Sequence, residues 1–169
     1  MDLRDYIRDV LDFKPGITFF DITPLLANPA AFRYAIDALA ERYKDAGANK
    51  IVAAEARGFL FGAPLAYKLN VGFIPVRKPG KLPYKTKSVT YDLEYGTDSL
   101  QMHVDAVKPG DRVLIIDDLL ATGGTTNGMI KLVQGSGAEV AGIGFLIELG
   151  FLDGPSKLEG IPHEYLLKL

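Results

Sequence analysis

The sequence predicts an α/β fold: a mostly parallel central sheet flanked by helices, in a single domain over residues 1–169. Three observations carry that expectation. Apolar runs at 51–54, 71–76, 113–116 and 140–147 have the length and β-branched content of buried strands. Helix-like segments at 60–69 and 126–134 lie between several of them. Strands alternating with helices make βαβ units, and those give parallel sheets.

Taken from the N-terminus, Leu3, Ile7, Val10 and Leu11 recur at helical spacing, which predicts a short amphipathic helix over the first dozen residues. Lys14-Pro15-Gly16 ends it. Asn28 followed by Pro29 signals a helix start, with Phe32, Ile36, Leu39 and Tyr43 on one face and Gly47 as the stop. Pro64 costs about 3 kcal/mol inside a helix, which places the start of the next helix near Gly62-Ala63. Segments 88–93 and 99–104 read as a hairpin across Glu94-Tyr95-Gly96-Thr97-Asp98. Lys108-Pro109-Gly110-Asp111 is a turn into the strand at 113–116.

Composition narrows the chemistry. The chain lacks cysteine, so thiol nucleophiles, disulfides and Cys-ligated zinc are excluded. Its two histidines, His103 and His163, are too far apart in sequence to suggest a metal centre. A net charge of −2 predicts no nucleic-acid partner. No apolar run approaches a membrane span, and the charged N-terminus does not read as a signal peptide, so a cytoplasmic enzyme is expected.

Ligands of open α/β sheets bind beyond the carboxyl ends of the strands. The strand at 113–116 runs into Asp117-Asp118-Leu119-Leu120-Ala121-Thr122-Gly123-Gly124-Thr125, and then into a helix. Ionised carboxylates accept hydrogen bonds from vicinal hydroxyls. Gly123 and Gly124 let backbone N–H groups turn toward an anion, and a helix N-terminus adds partial positive charge. A sugar with its diol on one side and a phosphate on the other fits that order. Two further strand ends carry unusual residues. Glu55-Ala56-Arg57-Gly58-Phe59 offers a planar guanidinium among small residues; alone, it reads equally as a strand-to-helix turn with a solvated Arg–Glu pair. Arg77-Lys78-Pro79-Gly80-Lys81-Leu82-Pro83-Tyr84-Lys85 concentrates cations at a strand's carboxyl end in an acidic protein, which favours an anion site over a solvated loop.

The run from Val113 to Thr125 resembles the phosphoribosyl pyrophosphate (PRPP) signature of type I phosphoribosyltransferases. Leu119 to Thr125 is most similar to their adenine branch. The resemblance implies the type I phosphoribosyltransferase fold, with an N-terminal hood over residues 1–28 and a flexible hairpin lid over 77–104. It implies a purine-salvage enzyme that moves the 5-phosphoribosyl group from PRPP to adenine, giving AMP and pyrophosphate. Asp117 and Asp118 would hold the ribose hydroxyls. Ala121, Thr122, Gly123, Gly124 and Thr125 would hold the 5′-phosphate. Glu55, Ala56, Arg57, Arg77, Lys78 and Lys81 would meet pyrophosphate.

The segment around Pro15-Gly16-Ile17-Thr18-Phe19-Phe20 resembles the hood. Phe19 and Leu119 would sandwich adenine, and backbone groups near Thr18 and Phe20 would read its amino edge. Phe20 stands where the family commonly has arginine. Asp118, Glu94 and Arg57 would be the catalytic set, with Glu94 and Tyr95 carried on the lid. Glu94, solvent or phosphate would take the N9 proton. Mg²⁺ is the implied cofactor, held mainly through PRPP with no direct protein ligand assigned, and a homodimer is the implied assembly.

Related 6-oxopurine enzymes carry an acidic residue where Ala121 stands, which points this chain toward adenine. Alanine also suits a transferase for another purine such as xanthine. A PRPP-sensing binding protein is the reading from a different class. Such a protein would keep the diol and phosphate loop without the leaving-group cations and lid residues present here. Glu148, after the run at 140–147, either faces the base or caps its strand.

Overall fold

The computed structural model describes residues 1–92 and 96–169. Its centre is a five-stranded sheet of β3 (Lys50–Ala54), β4 (Gly72–Val76), β7 (Arg112–Leu120), β8 (Glu139–Glu148) and β9 (His163–Lys168). The order is β4-β3-β7-β8-β9, and every neighbouring pair is parallel. Parallel sheets need both faces covered, and this one has two cores. On one face α1 (Thr23–Ala27), α2 (Pro29–Tyr43) and α3 (Arg57–Leu69) bury Leu25, Leu39, Phe61 and Leu65 against Ile51, Leu114 and Ile116. On the other, α4 (Gly124–Gly135) and the antiparallel hairpin β5 (Thr86–Asp92) and β6 (Thr97–His103) bury Met129, Ile130, Leu100 and Met102 against Val52, Val113 and Ile115.

Helix α2 begins as expected: the Asn28 side chain accepts hydrogen bonds from the N–H groups of Ala30 and Ala31, at 3.1 and 3.0 Å. Its apolar face (Ile36, Leu39, Tyr43) is buried. The Tyr43 ring lies over Gly142 and Gly144, where a Cβ would come within 3.0 and 2.9 Å of it. Those strand glycines therefore make room for a core tyrosine.

Two expectations are corrected. The first dozen residues are not a helix. A 3-10 turn at Leu3–Tyr6 leads into β1 (Arg8–Lys14), which pairs antiparallel with β2 (Ile17–Asp21). Leu3 and Ile7 are buried one turn apart, whereas Leu11 and Phe13 lie exposed. Pro15-Gly16, with Gly16 at φ 75°, is the hairpin turn itself and not a helix stop. Helix α3 starts at Arg57, and Pro64 lies inside it. Gly62 brings the helix so near the sheet that a Cβ there would fall 2.8 Å from that of Ala53. Burial of Phe61 and Leu65 at that close approach offsets the hydrogen bond Pro64 cannot donate.

Side-chain alternation along β7 breaks at its acidic pair. Leu114 and Ile116 face the α2–α3 core, Val113 and Ile115 the α4 core. Past the pair Leu119 belongs to the first core and Leu120 to the second, so the faces have exchanged. The strand thus changes pitch where its carboxylates emerge.

At the opposite sheet end Asp111 is 3% exposed and accepts hydrogen bonds from Lys50 Nζ (2.7 Å), Asn49 Nδ2 (2.8 Å) and the Lys108 N–H (2.9 Å). Burial pushes its carboxyl up, but these donors outweigh burial and hold it at about 2. A depressed carboxyl stabilises the fold above its unfolded value of about 4, and that contribution fades as pH falls toward 2. Asp111→Ala is expected to cost about 3 kcal/mol in urea unfolding at pH 7, and the difference from wild type should shrink in acid.

Candidate active site

The carboxyl ends of β3 and β7 and the start of α4 enclose a cavity of ≈ 230 Å³. Its acidic wall is Asp117 and Asp118, the latter 4% exposed. The Asp118 N–H donates to Asp117 Oδ1 at 2.8 Å, and Arg57 Nε lies 3.1 Å from Asp118 Oδ2. Burial, with the Asp118 charge beside it, pushes the Asp117 carboxyl well above the ordinary range. Gly58 packs so tightly on this wall that a Cβ would fall 2.9 Å from Asp117 Oδ1. In that turn the small residue serves the protein's own carboxylate.

The loop after β7 and the start of α4 add Ala121, Thr122, Gly123, Gly124, Thr125 and Thr126 to the lining. Gly123 is the N-cap of α4 at φ 87°, and no side chain caps the helix. The first-turn N–H groups, which a Ser or Asp cap would otherwise satisfy, therefore open onto the cavity. Carboxylates able to accept from hydroxyls and helix N–H groups able to donate to an anion thus line one cavity.

Glu55, Ala56 and Arg57 line the same cavity. The Glu55 carboxylate accepts from the Lys78 N–H (2.7 Å) and Arg77 Nη2 (3.1 Å), which hold it below the ordinary carboxylate range. It fastens the loop after β3 to the loop after β4. Arg77 also exchanges two backbone hydrogen bonds with Gln101, joining that loop to β6. The Arg77 Nε is buried without a partner among the described residues. Lys78 pairs with Asp98 across the hairpin. Lys81 is exposed, its N–H 3.3 Å from the Lys78 carbonyl. These three cations are not in the cavity lining; Glu55 ties their loop to it.

Phe19 reaches the site through Arg57, whose guanidinium lies 5.3 Å from the ring centroid, and Phe13 packs on Phe19 at 4.9 Å. Leu119 lines the cavity. Thr18 and Phe20 alternate to the other face of β2 and line a separate groove with Leu11, Ile17 and Phe151. The Phe20 side chain therefore points away from the Phe19 stack. Glu94 and Tyr95 lie outside the described residues.

Glu148 does not line the cavity. Its buried carboxylate meets His163 Nε2 at 2.8 Å and Lys168 Nζ at 3.1 Å. Burial raises it, but these two partners outweigh burial and hold it below the ordinary range. It clamps β8 to β9, which settles its place as a strand-end contact. Two residues of the site escaped the sequence reading. Tyr91, 9% exposed, has its hydroxyl 3.4 Å from both Thr125 Oγ1 and Asp98 Oδ2. Tyr91 and Asp98 are opposite each other in the hairpin register, a pairing the hairpin pattern alone could have given.

Residues 21–162 match the phosphoribosyl transferase domain family. The adenine phosphoribosyltransferase of Maridesulfovibrio salexigens is 66% identical over the whole of both chains. A crystal structure of adenine phosphoribosyltransferase from Thermoanaerobacter pseudethanolicus superposes with a TM-score of 0.96 at 55% identity, covering 99% of this chain and 98% of that one. The Saccharomyces cerevisiae enzyme, crystallised with adenine and an imino-altritol bisphosphate, superposes at 0.92 with 40% identity, over 98% of this chain and 96% of that one.

Proposed function

The chain belongs to the phosphoribosyltransferase family, and on that premise we propose that it transfers the 5-phosphoribosyl group of PRPP to adenine. The products are AMP and pyrophosphate, so the enzyme salvages a purine base. One observation carries the reading: a single strand–loop–helix presents a carboxylate pair and an uncapped helix N-terminus to one cavity.

The residues divide the work by chemistry. Asp117 and Asp118 accept hydrogen bonds from the ribose 2′ and 3′ hydroxyls. The backbone N–H groups of Ala121 to Thr125, with the Thr122 and Thr125 hydroxyls, hold the 5′-phosphate. Arg57, Arg77, Lys78 and Lys81 neutralise pyrophosphate as the C1′–O bond breaks. Positive charge then develops at C1′, where Asp118 stabilises it. Adenine, stacked between Phe19 and Leu119, attacks through N9 from the opposite face and inverts the centre. The N9 proton passes to Glu94, to solvent or to phosphate.

Among the described residues no three carboxylate or imidazole groups cluster to hold a metal. PRPP's own oxygens would carry Mg²⁺, and Asp117 and Asp118 would be the cavity's aspartates available to it. When bound it withdraws charge from the leaving group. We read the enzyme as a homodimer, supported by the exposed apolar Leu60 and Tyr67 on α3; light scattering tests this. Among the described residues no helix is long and apolar enough to cross a membrane, and a cytoplasmic location agrees with that.

Absorbance-monitored turnover with adenine, hypoxanthine, guanine and xanthine, each with PRPP and Mg²⁺, tests the substrate. Adenine alone should turn over well; a preference for xanthine would refute the assignment. The raised Asp117 carboxyl adds a second expectation. Diol hydroxyls donate more strongly to an ionised carboxylate than to a neutral one, so binding lowers its pKa and favours loss of a proton. Calorimetry of AMP binding in buffers of different ionisation enthalpy should show net proton release. Affinity should also rise with pH through the range where free Asp117 titrates.

A further inference from the structure

The turn end of the β5–β6 hairpin carries a polar chain whose middle members, Tyr91 and Asp98, no role above uses. Lys78, after β4, pairs with Asp98 on β6. Asp98 faces Tyr91 on β5, and antiparallel partners directly opposite share a sheet face. The Tyr91 ring lies against α4, where a Cβ on Gly124 or Gly128 would touch it at 3.4 Å. Its hydroxyl stands 3.4 Å from Asp98 Oδ2 and 3.4 Å from Thr125 Oγ1. Both distances exceed the 2.5–3.0 Å typical of a formed hydroxyl bond. The hydroxyl is thus held between a carboxylate that accepts from it and a hydroxyl that can donate to it, committed to neither. Thr125 belongs to the anion loop and Lys78 to the cation loop, so the chain spans the two places assigned to the two ends of PRPP.

We propose that Tyr91 and Asp98 are positioning residues forming an exchange relay between the pyrophosphate and 5′-phosphate sites. In the empty enzyme Asp98 holds the Lys78 ammonium. When pyrophosphate draws Lys78 away, the half-buried Asp98 carboxylate loses its counter-charge. The Tyr91 O–H then turns fully to Asp98, and the Thr125 O–H, which had donated to the Tyr91 oxygen, is freed to donate to the 5′-phosphate. No bond to carbon or phosphorus changes in this step, and each hydroxyl keeps its proton. Capture of one donor end prepares the site for the other.

The relay rests on the PRPP reading of the cavity and makes predictions of opposite sign. Asp98 competes with pyrophosphate for Lys78. Asp98→Asn should therefore tighten PRPP binding, by about threefold for a partly exposed ion pair. Tyr91→Phe keeps the ring on α4 and should weaken PRPP binding about fivefold, the size of one neutral hydrogen bond. In the Asp98→Asn background, where no charge needs compensating, Tyr91→Phe should have almost no effect. A residue that merely braced the hairpin would weaken binding in both variants.

The test is isothermal titration of PRPP into wild type, both single variants, the double variant, and Asp98→Asn in a Lys78→Gln background. The relay predicts that the gain from Asp98→Asn vanishes once Lys78 is gone. Persistence of that gain would mean a general charge effect on anion binding and would overturn the proposal. Weaker binding by Asp98→Asn, or an undiminished Tyr91→Phe loss in the double variant, would overturn it as well. The functional reading fails separately: wild type would then bind no PRPP, or bind it and turn over no purine.

Discussion

Asp118→Asn is expected to lower turnover of adenine with PRPP by about a hundredfold or more, the scale of losing one charge-stabilising group in a dehydrated site. Asparagine keeps the shape and one acceptor oxygen, so the fold should survive, with an unchanged circular dichroism spectrum. Arg57 loses its 3.1 Å partner, but its side chain is 42% exposed and solvent screens it. The loss should fall mainly on kcat, because the carboxylate matters most when C1′ is cationic. Asp117→Asn should differ in kind. Its carboxyl already resists ionisation in the free enzyme, so the change should fall more on AMP and PRPP affinity and should abolish the proton release.

Gly123→Ala should be nearly as damaging through a different cause. Gly123 sits at φ 87°, and a Cβ there would lie 2.6 Å from the Gly154 carbonyl oxygen and 3.1 Å from the Lys157 Cβ. The first of these is backbone, so the loop itself must move. A left-handed conformation adds roughly 1–2 kcal/mol for any L side chain. Displaced amides no longer converge on the phosphate, and KM for PRPP should rise by about a hundredfold, roughly two good charge-assisted hydrogen bonds. Gly160→Ala is the control. Its φ is 70° yet nothing lies within 4 Å of a Cβ there, so it should lower Tm slightly and leave KM unchanged. Equal KM values in the two variants would show that the placement of the Gly123 loop does not govern PRPP binding.

The parts of the site legible in the sequence are those where chemistry and conformation sit in adjacent residues. Val113 to Thr125 shows its strand, its carboxylates, its glycine turn and its helix in one run, and α2 shows its cap and apolar face the same way. Contacts between distant segments were not legible. Arg57 meeting Phe19 depends on how the β1–β2 hairpin docks. The link from Lys78 through Asp98 and Tyr91 to Thr125 needs the hairpin register and the packing of α4 together.

Three misreadings have local causes. A buried Leu3 and Ile7 imitate helical spacing, although strand pairing decides the segment. Pro64 argues for a late helix start, although glycine-mediated packing on the sheet overrides it. Strand β9 was missed because His163–Lys168 mixes charged and apolar residues at a sheet edge, where only one flank is paired.

A crystal structure of the enzyme with AMP tests the central assignment most directly. The phosphate should lie at the N–H groups of Ala121 to Thr125, the ribose hydroxyls on Asp117 and Asp118, and the base beside Phe19 with Arg57 displaced from the ring. Nucleotide density elsewhere, with that cavity empty, would contradict the account.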